Sequence, residues 1–227
     1  MSHSNIVSNL AVFQAEVAAA ATTGKQYVLG ETNSVSGGGA STVSPLFGAA
    51  LWTMDYTLKA SSMNIKRTYF HHGTIGACYY CFWGRYSMGT PYYGAYAATA
   101  FMAGGASIST LDSGSTDYGG YVIFDSSGKP LRALLLNTDF YSGSGTRGSE
   151  TFVLGGLSAT TVKAKRLTAA SANSRADHED SISFGGQKFA NGTCVVGGTA
   201  VYETTAVAGG TGTFVLSASE ALVVYLQ

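Results

Sequence analysis

Two short stretches hold most of the residues suited to chemistry. The first, residues 27–39, reads YVLGETNSVSGGG: an apolar run closes at Gly30, and Glu31 follows as a lone acid among small polar residues. In α/β architectures the reactive groups stand at the carboxyl ends of strands, on the loops that follow. Glu31 has that position, although a solvated strand-end acid without a role would occupy it equally well. Thr32, Asn33, Ser34 and Ser36 add hydrogen-bonding groups, and Gly37, Gly38 and Gly39 let backbone N–H groups approach a ligand. The second stretch begins at His71 and His72 and continues GTIGACYYCFWGRY. Each of its aromatics could serve in packing. Aromatic faces beside small polar residues also suit a sugar ring, and together the two loops are equipped for carbohydrate.

Other chemistries find less support. The three cysteines cannot all pair with one another. Cys78 and Cys81 form a C-x-x-C with no second pair at metal-ligand spacing, which leaves two readings: buried thiols, or one bridge for which Cys194 is a candidate partner. No metal and no cofactor is called for. A G-x-S-x-G elbow is lacking, and the glycines at 37–39 carry no following Lys-Ser or Lys-Thr to make a phosphate loop. Charged residues make up only 11% of the chain and the formal net charge is zero, so no basic stripe awaits nucleic acid. No apolar run approaches the roughly 18 residues of a membrane span. Glycine is frequent, 30 of 227 residues, nearly twice the usual ~7%, which implies many turns. At 45% hydrophobic residues the chain can bury a sizeable core.

The elements that must position these residues follow from periodicity. Ile6, Leu10, Phe13 and Val17 fall on one helix face, which Thr22, Thr23 and Gly24 end. QYVL is expected as a short strand covered on both faces. A second helix starts near Pro45 and turns Phe47, Leu51, Met54 and Leu58 inward. NIKRTYF, at 64–70, is the next strand, and Pro91 opens a third helix. This alternation belongs to α/β units with parallel strands. Past Gly104 the pattern changes to short β-favouring runs separated by turns, among them YVIFD, LRALLLN, TVKAKRLT and ALVVYL. That predicts an antiparallel β-sandwich over 105–227, after an α/β part over 1–104.

GETNSVSGGG, then MNIKRTYFHHGTIGACYYCFWGRY, then a final helix and a β-domain together resemble the fungal β-glucuronidase branch of glycoside hydrolase family 79, which also contains the heparanases. The resemblance spans nearly the whole chain. It implies the closing strands of a (β/α)8 barrel followed by a β-sandwich, and retaining hydrolysis of glucuronides. On that pattern Glu31 is the nucleophile. Gly37, Gly38 and Gly76 with either Tyr79 or Tyr80 would hold the substrate's carboxylate through backbone N–H groups and a phenol. Some relatives place a tyrosine before these glycines where this chain has Ser36.

Retaining glycosidases need two carboxyl groups roughly 5 to 5.5 Å apart. Within 1–104 the only acids are Glu16, Glu31 and Asp55, and the first and last fall within expected helices, on the outside of a barrel. The family's acid/base lies on an earlier strand. The expected partners are therefore a glucuronic-acid-containing carbohydrate and an amino-terminal barrel portion of the same enzyme, with little hydrolysis by this chain alone. A non-catalytic carbohydrate-binding or structural β-module is the alternative. The resemblance, with the Asn191-Gly192-Thr193 sequon, implies an extracellular protein.

Overall fold

Four helices and two parallel strands come first. The structure is a computed structural model and describes residues 1–73 and 77–226. Ser2 caps helix α1 (His3–Ala11) by accepting a hydrogen bond from the Asn5 N–H. The expected first helix is split: the Phe13 N–H turns back to Leu10 O, three residues earlier, and α2 (Gln14–Thr22) continues beyond it. Ile6, Leu10 and Val17 nevertheless share one small core with Leu29 and Ile65. Strands β1 (Tyr27–Thr32) and β2 (Ile65–Phe70) pair in parallel, Leu29 opposite Thr68. Only one face of this pair is covered. Val28, Gly30, Lys66, Arg67 and Tyr69 are exposed, which corrects the expectation of a strand buried on both sides.

Helix α3 (Phe47–Ser62) turns Phe47, Leu51, Met54 and Leu58 inward. Pro45 lies just ahead of it, and no side chain caps it. Its first N–H groups are satisfied across the fold, Phe47 donating to Ser174 O at 2.8 Å and Gly48 to Ala172 O at 2.9 Å. Helix α4 (Thr90–Met102) opens with Pro91 and crosses α3 at Gly94. A Cβ there would lie 1.8 Å from Ala50 O, so this crossing needs glycine. No helix among the described residues is long and apolar enough to cross a membrane.

After Gly104 the strands β3 (Ser107–Thr110), β4 (Tyr118–Phe124), β5 (Pro130–Asn137), β6 (Ser149–Leu154), β7 (Thr161–Thr168), β8 (Ser183–Phe184), β9 (Lys188–Phe189), β10 (Val196–Gly197), β11 (Glu203–Ala208), β12 (Thr211–Ser217) and β13 (Glu220–Tyr225) follow. β9 and β10 form a separate small hairpin. The others make one antiparallel sheet in the order β3-β4-β5-β13-β7-β11-β12-β6, with β8 on β7. The sheet curls on itself. Phe214 and Leu216 of β12, with Phe152 and Leu154 of β6, pack over Ala133, Leu135, Leu222 and Val224 of β5 and β13. The layers expected of a sandwich are thus two parts of one hydrogen-bonded sheet.

Its other face carries Tyr121, Leu134, Leu136, Leu167 and Val223 onto Phe47, Leu51, Met54, Leu58 and Phe101 of α3 and α4. One core therefore crosses residue 104. β5 and β13 lie under cover on both faces, which explains why LRALLLN and ALVVY show no alternation.

Candidate functional site

β1 runs two residues further than its apolar stretch implies, so Glu31 belongs to the strand's last turn of pleat and Thr32 ends it. The ladder is irregular between Leu29 and Thr32. It resumes through the His71 N–H, which donates to Thr32 O at 3.0 Å. This brings the loop after β2 beside the loop after β1. Asn33 locks them: its Nδ2 donates to His71 O at 2.9 Å, while its Oδ1 accepts from the Ser34 N–H. The Thr32 hydroxyl donates to the Tyr56 hydroxyl on α3, which ties the strand end to the helix behind it.

Glu31 extends from this junction with its side chain 77% exposed, one oxygen 3.9 Å from His71 Nδ1. An open cleft of about 560 Å³ lies beside it, lined by Glu31, Asn33, Ser36, Gly37, Gly38, His71 and Tyr80. Glu31 is the one carboxylate among these. At this distance and exposure the Glu31–His71 pair adds little to stability, and the carboxylate is free to meet a ligand.

The glycine loop forms one wall. Gly37, Gly38 and Gly39 all have positive φ, at 66°, 90° and 90°. Gly38 O accepts from the Tyr79 N–H at 2.9 Å, joining the glycine loop to the loop after β2. Tyr80 is then buried against Gly39 and set edge-on to His71, their rings 5.9 Å apart. Of the two tyrosines, Tyr80 enters the cleft. Tyr79 is half exposed and borders a different hollow with Arg175 and Asp177. Gly76 lies outside the described residues.

Cys78 and Cys81 are bonded to each other, with Cα atoms 5.7 Å apart, and Cys194 is free. The C-x-x-C is itself the bridge, which corrects the expectation that placed Cys194 in it. Two cysteines three positions apart can close a disulfide here because the chain turns at Tyr79–Tyr80. His72 stacks on Trp83 and brings Nδ1 within 3.6 Å of Cys81 Sγ. His72, Cys78 and Cys81 could thus present three metal-ligand atoms within 4.8 Å of one another. The paired sulfurs carry no thiolate for a metal to bind.

The other two early acids stand elsewhere. Asp55 is fully buried beneath α1, bonded by His3 and Tyr121, and Glu16 accepts from the Tyr27 hydroxyl at the opposite end of β1. Sequence reasoning did not find Asn33 as the tie between loops, nor the pairing of Cys78 with Cys81; for the latter the C-x-x-C itself was the available signal.

Residues 120–223 match the glycosyl hydrolase family 79 C-terminal beta domain. The crystal structure of a 4-O-α-L-rhamnosyl-β-D-glucuronidase from Fusarium oxysporum, in complex with Rha-GlcA, superposes on the whole chain with a TM-score of 0.96. It is 51% identical, and the match covers 49% of that protein. A β-glucuronidase of Aspergillus niger is 43% identical over 91 residues, 37% of this chain and 16% of the relative. A β-glucuronidase of Neurospora crassa is 39% identical over 83 residues, 34% of this chain and 14% of that relative. The chain thus spans about half the length of the Fusarium protein. With the β-domain matched and the full-length superposition in hand, the chain is similar from end to end to a carboxyl-terminal portion of the glycoside hydrolase family 79 architecture.

Proposed function

We propose that this chain supplies the nucleophile side of a retaining β-glucuronidase, with Glu31 as the attacking carboxylate. One observation carries the reading: among the described residues, Glu31 is the sole acid on a cleft made jointly by the loops after two parallel strands. A Glu31 oxygen attacks the anomeric carbon as the glycosidic C–O bond breaks, giving a glycosyl ester. The leaving oxygen takes its proton from a carboxylic acid on polypeptide outside this chain. That group, then ionised, deprotonates the water that opens the ester. The uronate is held by the Tyr80 hydroxyl and by N–H groups of Gly37, Gly38 and Gly76. Neutral donors of this kind hold a carboxylate without a buried charge pair.

In this reading residues 1–104 are the closing part of a (β/α)8 barrel, whose open β1–β2 face and edges meet the amino-terminal barrel portion. Residues 105–227 are the buttressing β-sandwich. The enzyme works outside the cell, and Asn191, exposed on the turn between β9 and β10, carries a glycan. The Fusarium relative favours a rhamnosyl-capped glucuronide as the substrate.

The test compares this chain with a version extended by the remaining barrel strands. On an aryl β-glucuronide the chain alone gives no turnover above buffer, and the extended protein is active. Glu31→Gln lowers the extended protein's kcat by about 10⁴ or more, and an activated fluoroglucuronide labels Glu31. Full activity in the extended Glu31→Gln variant removes the nucleophile assignment. Turnover by the parent chain, lost on Glu31→Gln, removes the need for an external acid.

A further inference from the structure

We propose that a second cavity, on the other side of the loop after β1, binds an uncharged sugar. It measures about 380 Å³ and opens between α1, the 34–43 segment, the start of α3 and the loops at 140 and 172–173. That volume lies within the range of small-ligand sites. Trp52 forms an aromatic wall. Its ring is stacked on Tyr56 at 4.7 Å and set edge-on to Phe70, so its orientation is fixed by packing. Around it stand Asn5, Asn9, Asn173, Ser34 and Thr42, amides and hydroxyls that each donate and accept. Among the described residues no Asp, Glu, Lys or Arg side chain lines the cavity, and burial lowers the pKa of the α-ammonium of Met1, which also lines it. A charged ligand would be desolvated there without a side-chain counter-charge. A pyranose offers C–H groups to an aromatic face and hydroxyls to two-way partners, which is the chemistry these walls complement.

A separate observation points to the same place. The Ser34 Oγ is buried and has no hydrogen-bond partner among the described residues, a rare condition for a buried hydroxyl. Ser34 lines this cavity, whereas Asn33, Val35 and Ser36 line the Glu31 cleft. The 33–36 segment is therefore a wall common to both. A sugar seated against Ser34, with the serine hydroxyl turned out to meet it, would brace that wall from behind. Nothing in this assignment depends on Glu31 acting as a nucleophile.

The test titrates the ¹⁵N-labelled chain with methyl β-glucopyranoside, methyl β-galactopyranoside and methyl α-mannopyranoside in turn. At least one is expected to give saturable shifts at the Ser34 amide and the Trp52 indole N–H. Asn9→Ala, an exposed change that favours helix, weakens that binding roughly three- to tenfold, the effect of one neutral hydrogen bond. Glu31→Gln leaves it unchanged. Absence of saturable shifts with all three sugars overturns the proposal, as does an unchanged affinity in both Asn9→Ala and Ser34→Ala. Glucuronate binding at Ser34 and Trp52 as tightly as the neutral sugars overturns the assignment of ligand class.

Discussion

A methyl group at position 39 would meet Ser44 Oγ and Tyr80 Cδ1, each at 2.8 Å, on a backbone already at φ +90°. Tyr80 is only 3% exposed and rests edge-on against His71, so it cannot retreat without disturbing the histidine beside Glu31. Gly39→Ala is therefore expected to cost about 2–3 kcal/mol, combining left-handed strain with a clash. Gly37 has positive φ but open space around it, so Gly37→Ala costs about 1 kcal/mol from strain alone. Urea denaturation of both variants checks the difference. Equal losses would mean that Tyr80 is not wedged as described. The residues themselves bear on how far this site could be read in advance. A strand-end acid followed by three glycines is a local signal, and Glu31 was visible by it. The choice between Tyr79 and Tyr80 was not, because a loop has no periodicity to say which side chain turns inward. That choice is made by the Tyr79 N–H bond to Gly38 O and by the turn closed between Cys78 and Cys81, contacts formed only in the folded chain.

Among the strands, β7 carries the least obvious demand. Arg166 donates to both oxygens of Glu203 on β11, at 2.7 and 2.8 Å, and to Glu220 on β13 at 2.6 Å. Glu220 is 7% exposed and also accepts from the Thr168 hydroxyl and the Ser217 N–H. Burial opposes the charge on Arg166, yet the bonds with Glu203 and the field of both acids hold its pKa above the ordinary guanidinium value. Arg166→Met leaves Glu220 with Arg147, 3.7 Å away, as its remaining cationic partner, and is expected to cost about 2 kcal/mol. Adding Glu220→Leu recovers a large part of that loss. Thermal unfolding of the single and double variants gives the comparison. A double variant less stable than Arg166→Met would show that Glu220 is held well without the arginine. The helices and strands were largely legible because their apolar spacing is local: Pro91, the Phe47–Leu58 stripe and the alternation in β12 all announce themselves. The curl of the sheet was not. β6 and β12 alternate as strands with one open face do, but which face they cover depends on pairings between residues some 60 apart, such as Phe152 with Phe214.

The molecule as a whole is held together across residue 104 by a core shared between α3, α4 and the sheet, and at the edge of that core by a charged cluster. His3 is fully buried. Its Nδ1 lies 2.8 Å from Asp55 on α3 and its Nε2 3.0 Å from Asp112, which follows β3. Tyr121 of β4 donates its hydroxyl to the same Asp55, and the His3 N–H donates to the Thr138 hydroxyl. One histidine thus ties the first helix to the third and both to the sheet. With a carboxylate at each ring nitrogen, the imidazole is held in its doubly protonated form. Burial works against that charge, but hydrogen bonds and fields from Asp112 and Asp55 outweigh it and raise the pKa from 6.5 to about 9. The folded state therefore binds this proton more tightly than the unfolded chain does. The resulting stability is complete below pH 6.5, declines as pH rises, and is gone once pH passes about 9. Its size is at most about 3 kcal/mol. Urea midpoints measured across that interval should fall with pH in the parent chain. His3→Gln should be markedly less stable than the parent at the acid end and nearly equal to it at the alkaline end. If the variant keeps the parent's slope, the titrating group is not His3, and the cluster joins helix to sheet without responding to pH.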